Sequence, residues 1–151
     1  MNRSFRRACR LLAVLGLVVS GCVSRSGERD IETAAPPVLA GAWTLVELEG
    51  ERVRVASGQR VPTLQLNRDH DRVAGFGGVN QFAGTFTTSR DTVSFGSLLA
   101  TKMAGPPALN ELETNYLRTL ESANRWRIAN EELTLLNGDK VVARFAPRER
   151  E

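Results

Sequence analysis

Thiols are almost missing from this chain, and their positions exclude a good deal. Of 151 residues only Cys9 and Cys22 are cysteine, so the stretch from Val23 to Glu151 has none. That stretch can form no disulfide, no thiolate metal site and no cysteine nucleophile. Histidine is nearly as scarce, with His70 alone. Ser20, Ser57, Ser94 and Ser97 sit in no G-x-S-x-G setting, so a serine triad has no material. His70 lies between Asp69 and Asp71 in a polar run, NRDHDR. One turn does not supply convergent metal ligands or an acid-base pair, and D-x-D without the rest of an EF-hand loop is a poor calcium signal. No catalytic residue, metal or cofactor is expected.

Charge is also less one-sided than it looks. The chain carries 20 bases and 17 acids, a formal +3. Four of the bases, Arg3, Arg6, Arg7 and Arg10, precede Cys22 with no acid among them. Behind that basic start comes LLAVLGLVVSGC, an apolar core followed by small residues. This is the pattern of a secretory signal peptide, too short to persist as a spanning helix. Once residues 1–21 are removed, sixteen bases face seventeen acids, a net −1. No cluster of Lys and Arg then remains for a nucleic-acid footprint, and no nucleic acid is expected as a partner.

The cut site is specific. Val19, Ser20, Gly21 and Cys22 resemble the bacterial lipobox, in which small residues precede a cysteine. By that resemblance Cys22 receives a thioether-linked diacylglycerol, becomes the new N-terminus and is acylated on its amine. Each buried CH₂ contributes about 0.8 kcal/mol, so two or more chains anchor firmly. The membrane is thus one expected partner. Val23 and Ser24 lack the aspartate that marks inner-membrane retention in some enteric-type bacteria, which points to the periplasmic face of the outer membrane. Residues 22–37, lipidated cysteine then VSRSGERDIETAAPP, mix charge with Ser, Ala and Pro-Pro and read as a flexible tether.

Residues 38–147 read as one globular domain, with a charged tail at 148–151. Short apolar alternations recur, from LAGAWTLVEL at Leu39 to VVARF ending at Phe145. The expected strands cover Leu39–Leu48, Arg52–Val55, Val61–Leu66, Thr85–Thr88, Thr92–Phe95, Trp126–Ile128, Glu132–Leu136 and Val141–Phe145. Ser97–Met103 reads as a short strand or an extended connection. At the centre stands GFGGVNQFAGTF, Gly75–Phe86, whose four glycines among three phenylalanines specify a sharp turn between two strands. One helix follows from about Pro107 to Asn124, because Leu109, Leu112, Tyr116, Leu120 and Ala123 recur every three or four residues behind a Pro at the permitted first turn. Asn110 and Glu113 have the spacing of a capping box. The fold class is therefore mainly β, α+β: an antiparallel, barrel-like sheet of about eight short strands covered by one helix from the C-terminal half.

A tryptophan strand, GFGGVNQFAGTF, LLATKMAGPPALNELETNYLRTL and ELTLLNGDKVVARF together resemble, in order and spacing, the META domain, also called the heat-shock protein HslJ-like domain. The resemblance runs from about Val38 to Phe145. The family's central motif reads G-C-N, then an aromatic and a glycine; Gly78 and Asn80 match, and Val79 takes the cysteine's place. Its second motif reads T-x-M-A-C; Thr101, Met103 and Ala104 match, and Gly105 takes the cysteine's place. Both cysteine positions are non-cysteine together, which the resemblance explains if the family's pair forms a bridge. The implied biology is an envelope location and a link to stress tolerance, including resistance to some antibiotics; no enzymatic activity comes with it.

Within this frame Gly75, Gly78, Asn80, Gly84, Thr101 and Met103 are expected to be structural. Asn80 either fills a left-handed position or hydrogen-bonds across to the Thr101 segment, with ligand binding as the alternative. Backbone N–H groups before the helix, with Lys102, could hold an anion, but Pro106 and Pro107 remove two donors. Glu111 and Glu113 are two apart on a helix, point different ways, and are expected on a solvated face. Trp43, Phe82, Tyr116 and Leu120 are either core or the lining of an apolar pocket between helix and sheet. Two functions from different classes stay open. One is a lipid-anchored, non-enzymatic envelope protein that contacts a protein partner; the other is a carrier of an apolar small molecule or acyl chain.

Overall fold

The structure is a computed structural model that describes residues 38–148. The expected signal peptide, Cys22, the tether and residues 149–151 of the tail lie outside the described residues.

Ten strands and one helix follow in order: β1 (Gly41–Leu48), β2 (Glu51–Arg52), β3 (Thr63–Asn67), β4 (Arg72–Phe76), β5 (Gln81–Ser89), β6 (Thr92–Phe95), β7 (Leu99–Ala100), α1 (Pro107–Ser122), β8 (Arg125–Ala129), β9 (Glu132–Asn137) and β10 (Lys140–Pro147). Eight of the strands close on themselves. The path runs β10-β9-β8-β6-β5-β4-β3-β1, and β1 pairs β10 again, every pairing antiparallel. The barrel expected from the alternation is thus present, and closure leaves its ring without an edge. The two-residue strands β2 and β7 lie off the ring, paired to β1 and β5.

The alternation sets which face goes in. Phe82 and Phe86 of β5, Leu64 and Leu66 of β3, and Leu133 and Leu135 of β9 are all buried in one core cluster. Strict alternation fails in β1. Trp43, Leu45 and Leu48 are buried while Val46 is exposed. The register against β10 slips between Leu45 and Glu47, and this bulge changes the parity, so Leu48 turns inward where simple alternation puts it on the other face. Two-residue turns of positive φ join β1 to β2 at Glu49 (49°) and Gly50 (87°), and β8 to β9 at Asn130 (51°) and Glu131 (63°). That geometry matches the twist of the strands it joins.

Antiparallel connectivity sorts the loops between two ends. The entry to β1 and the β3–β4, β5–β6 and β8–β9 turns lie at one end. The β1–β2 turn, the β4–β5 loop and the β9–β10 turn lie at the other. Helix α1 covers this second end: the Tyr116 hydroxyl donates to the Thr63 carbonyl at the start of β3, 3.2 Å away. The helix ends at Ser122, two residues before the expected Asn124.

Candidate functional site

The glycine stretch turns out to be mostly strand. Gly75 and Phe76 close β4, Gln81 to Phe86 belong to β5, and the turn is confined to residues 77–80. Gly78 supplies the positive φ, 137°. The Gly77 N–H donates to the Asn80 carbonyl at 2.8 Å and closes the loop. Asn80 is not among the residues of positive φ, so of its two expected structural roles the structure gives it the cross-link.

That cross-link has a hub the sequence reading missed. Glu113 of α1, expected on a solvated face, is buried, 8% exposed, beside Asn80, 5% exposed. Its Oε2 accepts from the backbone N–H of Val79 at 3.0 Å and of Asn80 at 2.6 Å, and its Oε1 accepts from Asn80 Nδ2 at 2.7 Å. Asn80 passes the link on. Its Oδ1 accepts from Thr101 Oγ1 at 2.9 Å and from the Met103 N–H at 2.7 Å, while Nδ2 also reaches the Met103 carbonyl at 3.4 Å. One carboxylate and one amide therefore tie the helix, the β4–β5 loop and the segment before the helix together. A buried carboxylate is tolerable when N–H donors meet it, and three do.

The capping box does not form. Pro106 is the N-cap residue and no side chain caps the helix; Asn110 Nδ2 instead donates to the Gly105 carbonyl at 2.8 Å. Glu113 cannot reach back to a cap because it is turned inward. Gly77 allows this, since a Cβ there would lie 2.6 Å from Glu113 Cγ and Oε2.

The remaining expected residues sort as follows. A Cβ on Gly75 would strike the Thr63 carbonyl, and one on Gly84 would sit 2.8 Å from the Ser97 carbonyl, so both mark close approaches. Met103 contributes its backbone only; its side chain is 60% exposed. Trp43, Phe82, Tyr116 and Leu120 all belong to the core cluster. Tyr116 meets the Phe82 ring edge-on at 5.8 Å and the Phe145 ring at 6.2 Å. Between core and pocket lining, the alternatives left open above, the structure gives these four to the core. Burial also pushes the Tyr116 phenol up from its ordinary range. Among the described residues no group of three or more His, Cys, Asp or Glu could hold a metal ion.

Val79 and Gly105, in the places of the family's two cysteines, are neighbours. A Cβ on Gly105 would lie 3.2 Å from Val79 Cβ and 2.7 Å from its Cγ1. The valine methyls occupy the space that a side chain at 105 would need.

Beside this tie lies a cleft of about 850 Å³ between α1 and the chain from β1 to β3. Val53, Leu109 and Leu112 are half-buried in its wall, and Arg52, Arg54 and Arg118 stand exposed around it. Leu109 and Leu112 were expected in the helix's buried stripe. The helix is instead rotated so that Glu113, Tyr116, Thr119 and Leu120 face the core. Where α1 leads into β8, Arg125 donates to Asp91 Oδ2 from Nη2 at 2.6 Å and from Nε at 3.2 Å, which holds the Asp91 carboxyl below its usual range.

Comparison with known proteins agrees with this fold. The family model described as META domain matches residues 36–150. An NMR structure of a protein from Burkholderia xenovorans is 24% identical, with a TM-score of 0.59 over 74% of this chain and 83% of that one. A second NMR structure, 21% identical, gives 0.54 over 70% and 87%. The crystal structure of a DUF4847 family protein from Bacteroides vulgatus, 17% identical, gives 0.50 over 74% and 95%. These likenesses concern the fold. No curated protein matches the chain.

Proposed function

Because the chain belongs to the META domain family, we propose that it is a lipid-anchored, non-enzymatic protein of the bacterial envelope that supports envelope stress or antibiotic tolerance by contacting another protein. One observation carries the contact reading. The polar side chains that the fold gathers at its capped end are engaged with one another, Glu113 through three hydrogen bonds and Asn80 on both sides of its amide, while the cleft beside them is open. Groups so engaged hold a helix in place; the open surface is what a partner meets.

The geometry suits such a role. The described chain enters the barrel at the end opposite the cleft, and the eight residues of β1 at about 3.3 Å each put roughly 25 Å between those ends. Exposed Leu99 and Met103, on the segment leading into α1, add apolar contact surface at 78% and 60% exposure. Carriage of an apolar molecule would instead need room around Trp43, Phe82, Tyr116 and Leu120, where the side chains belong to one packed cluster.

Mass spectrometry of the native N-terminus tests the anchor, the expected species starting at an acylated Cys22. A photo-crosslinker at position 118 in intact cells tests contact, with one discrete protein adduct expected. A deletion strain as tolerant of heat and antibiotics as its parent, together with no adduct, would refute the proposal.

A further inference from the structure

Strand β2 is the one place beside the cleft where the sheet stops. It pairs β1 on one side only, Glu47 with Arg52 and Leu48 with Glu51, and among the described residues no strand follows it on the other side. The pairing extends one residue further, since the Val53 N–H donates to the Val46 carbonyl at 2.9 Å. This fixes the directions of the neighbouring groups. In an antiparallel ladder successive residues turn their N–H and C=O to opposite sides, so if Val53 faces β1, Arg52 and Arg54 face away from it. An unpaired run of this kind is a template for one more strand.

The charge around the run is unbalanced. Glu49 is held by Lys140, and Glu47, opposite Arg52, by Arg144, which leaves Glu51 against Arg52, Arg54 and Arg118. Among the described residues those three arginines make no ion pair, and all three are exposed. The apolar side chains lie on the other face of the same edge, with half-buried Val53 packed against the core and Leu109 and Leu112 beside it. A volume of about 850 Å³ falls within the usual range of binding clefts, roughly 300–1,000 Å³.

We infer that this cleft takes an extended acidic segment of a partner protein, added as a strand along Arg52–Arg54. The partner's alternate residues are apolar and rest on Val53, Leu109 and Leu112. Those between are Asp or Glu and meet the three arginines. The edge supplies affinity through main-chain hydrogen bonds, and the two faces of the added strand supply register and charge preference. This rests on the contact role proposed above and names the chemistry of the partner for that end of the barrel.

The test uses the chain from residue 22 with Cys22→Ser and a capped peptide of about eight residues, a usual strand length, alternating Glu and Val. Binding is read by fluorescence anisotropy, and the site by amide NMR shifts. The expected result is binding that weakens with salt, shifts at residues 51–54 and on α1, and a loss of about tenfold or more in the double variant Arg52→Glu, Arg118→Glu. A peptide methylated on alternate backbone nitrogens should bind as poorly as one alternating Lys and Val. Equal binding of the Lys-Val peptide, equal binding of the N-methylated peptide, or shifts confined to another surface would overturn the inference. The two readings separate cleanly. A discrete cellular adduct from position 118 with no peptide binding leaves the contact role standing and rejects the acidic strand; no adduct and no phenotype reject the contact role itself.

Discussion

Restoring both cysteines tests the tie at the capped end most directly. Taken alone, a side chain at 105 has nowhere to go, because its Cβ would lie 2.7 Å from Val79 Cγ1. Gly105→Cys in the parent chain should therefore cost about 1–3 kcal/mol, the usual penalty of overpacking. Val79→Cys removes the obstructing methyls, at about 0.5–1.5 kcal/mol in lost packing. With both changes the two Cβ atoms stand near 3.2 Å, somewhat closer than the roughly 3.5–4.5 Å of disulfides, a gap that a small shift of the loop closes. The bridge would close a loop of about 26 residues, worth roughly 3.5 kcal/mol in the chain-entropy model. Against the valine's lost packing the oxidised variant should gain about 2–3 kcal/mol over the parent. At about 4 °C per kcal/mol that is roughly 10 °C in Tm. The assay is thermal unfolding of the double variant, with Cys22→Ser, in its oxidised and reduced forms, which differ only in the bond. Failure of the bond to form under mild oxidation, or identical melting of the two forms, would refute the claim that Val79 and Gly105 face one another.

The carboxylate hub gives two further tests, and an exposed ion pair gives a third. Glu113→Gln turns an amide NH₂ toward N–H donors that now face an oxygen, and should cost about 2 kcal/mol, read as a lower urea midpoint with an unchanged m-value. Gly77→Ala places a Cβ 2.6 Å from Glu113 Oε2 and should displace the carboxylate; in a Glu113→Ala background it should cost far less, so a double-mutant cycle that proves additive would contradict the contact. Away from the hub, the hydrogen bond from Arg125 holds the Asp91 carboxyl below the usual carboxylate range, so its contribution is present above that range and fades as pH falls through the folded value. Asp91→Asn should then be the less stable form near neutrality and converge with the parent in acid; because the pair is exposed, the difference is small, and urea titrations across that range measure it.

The sequence made the barrel legible and hid the hub, for related physical reasons. Strand faces are written in the period-two alternation of Leu64 with Leu66, and Phe82 with Phe86, because an apolar side chain finds the core without needing a particular partner. Where a bulge intervenes, as between Leu45 and Glu47, the alternation misplaces the next side chain, and nothing in Val46 announces it. Glu113 escaped because charge is read as solvent-facing, a rule that holds only while no donors are waiting. Yet the signal was present. Glu113 stands three residues before Tyr116 and seven before Leu120, so it shares their face of the helix. The partner is a Gly-Gly turn whose backbone N–H groups have no Cβ at Gly77 to shield them. A carboxylate in register with an apolar stripe, opposite a turn that opens on two glycines, is therefore a tie across the fold that sequence alone can propose. The same shift of the helix face explains the cleft. Turning Glu113 and Tyr116 inward leaves Leu109 and Leu112 only half-buried, Leu112 at the margin of the core, beside Arg52 and Arg54, so the residue that fastens the helix also determines which apolar side chains are left for a partner to cover.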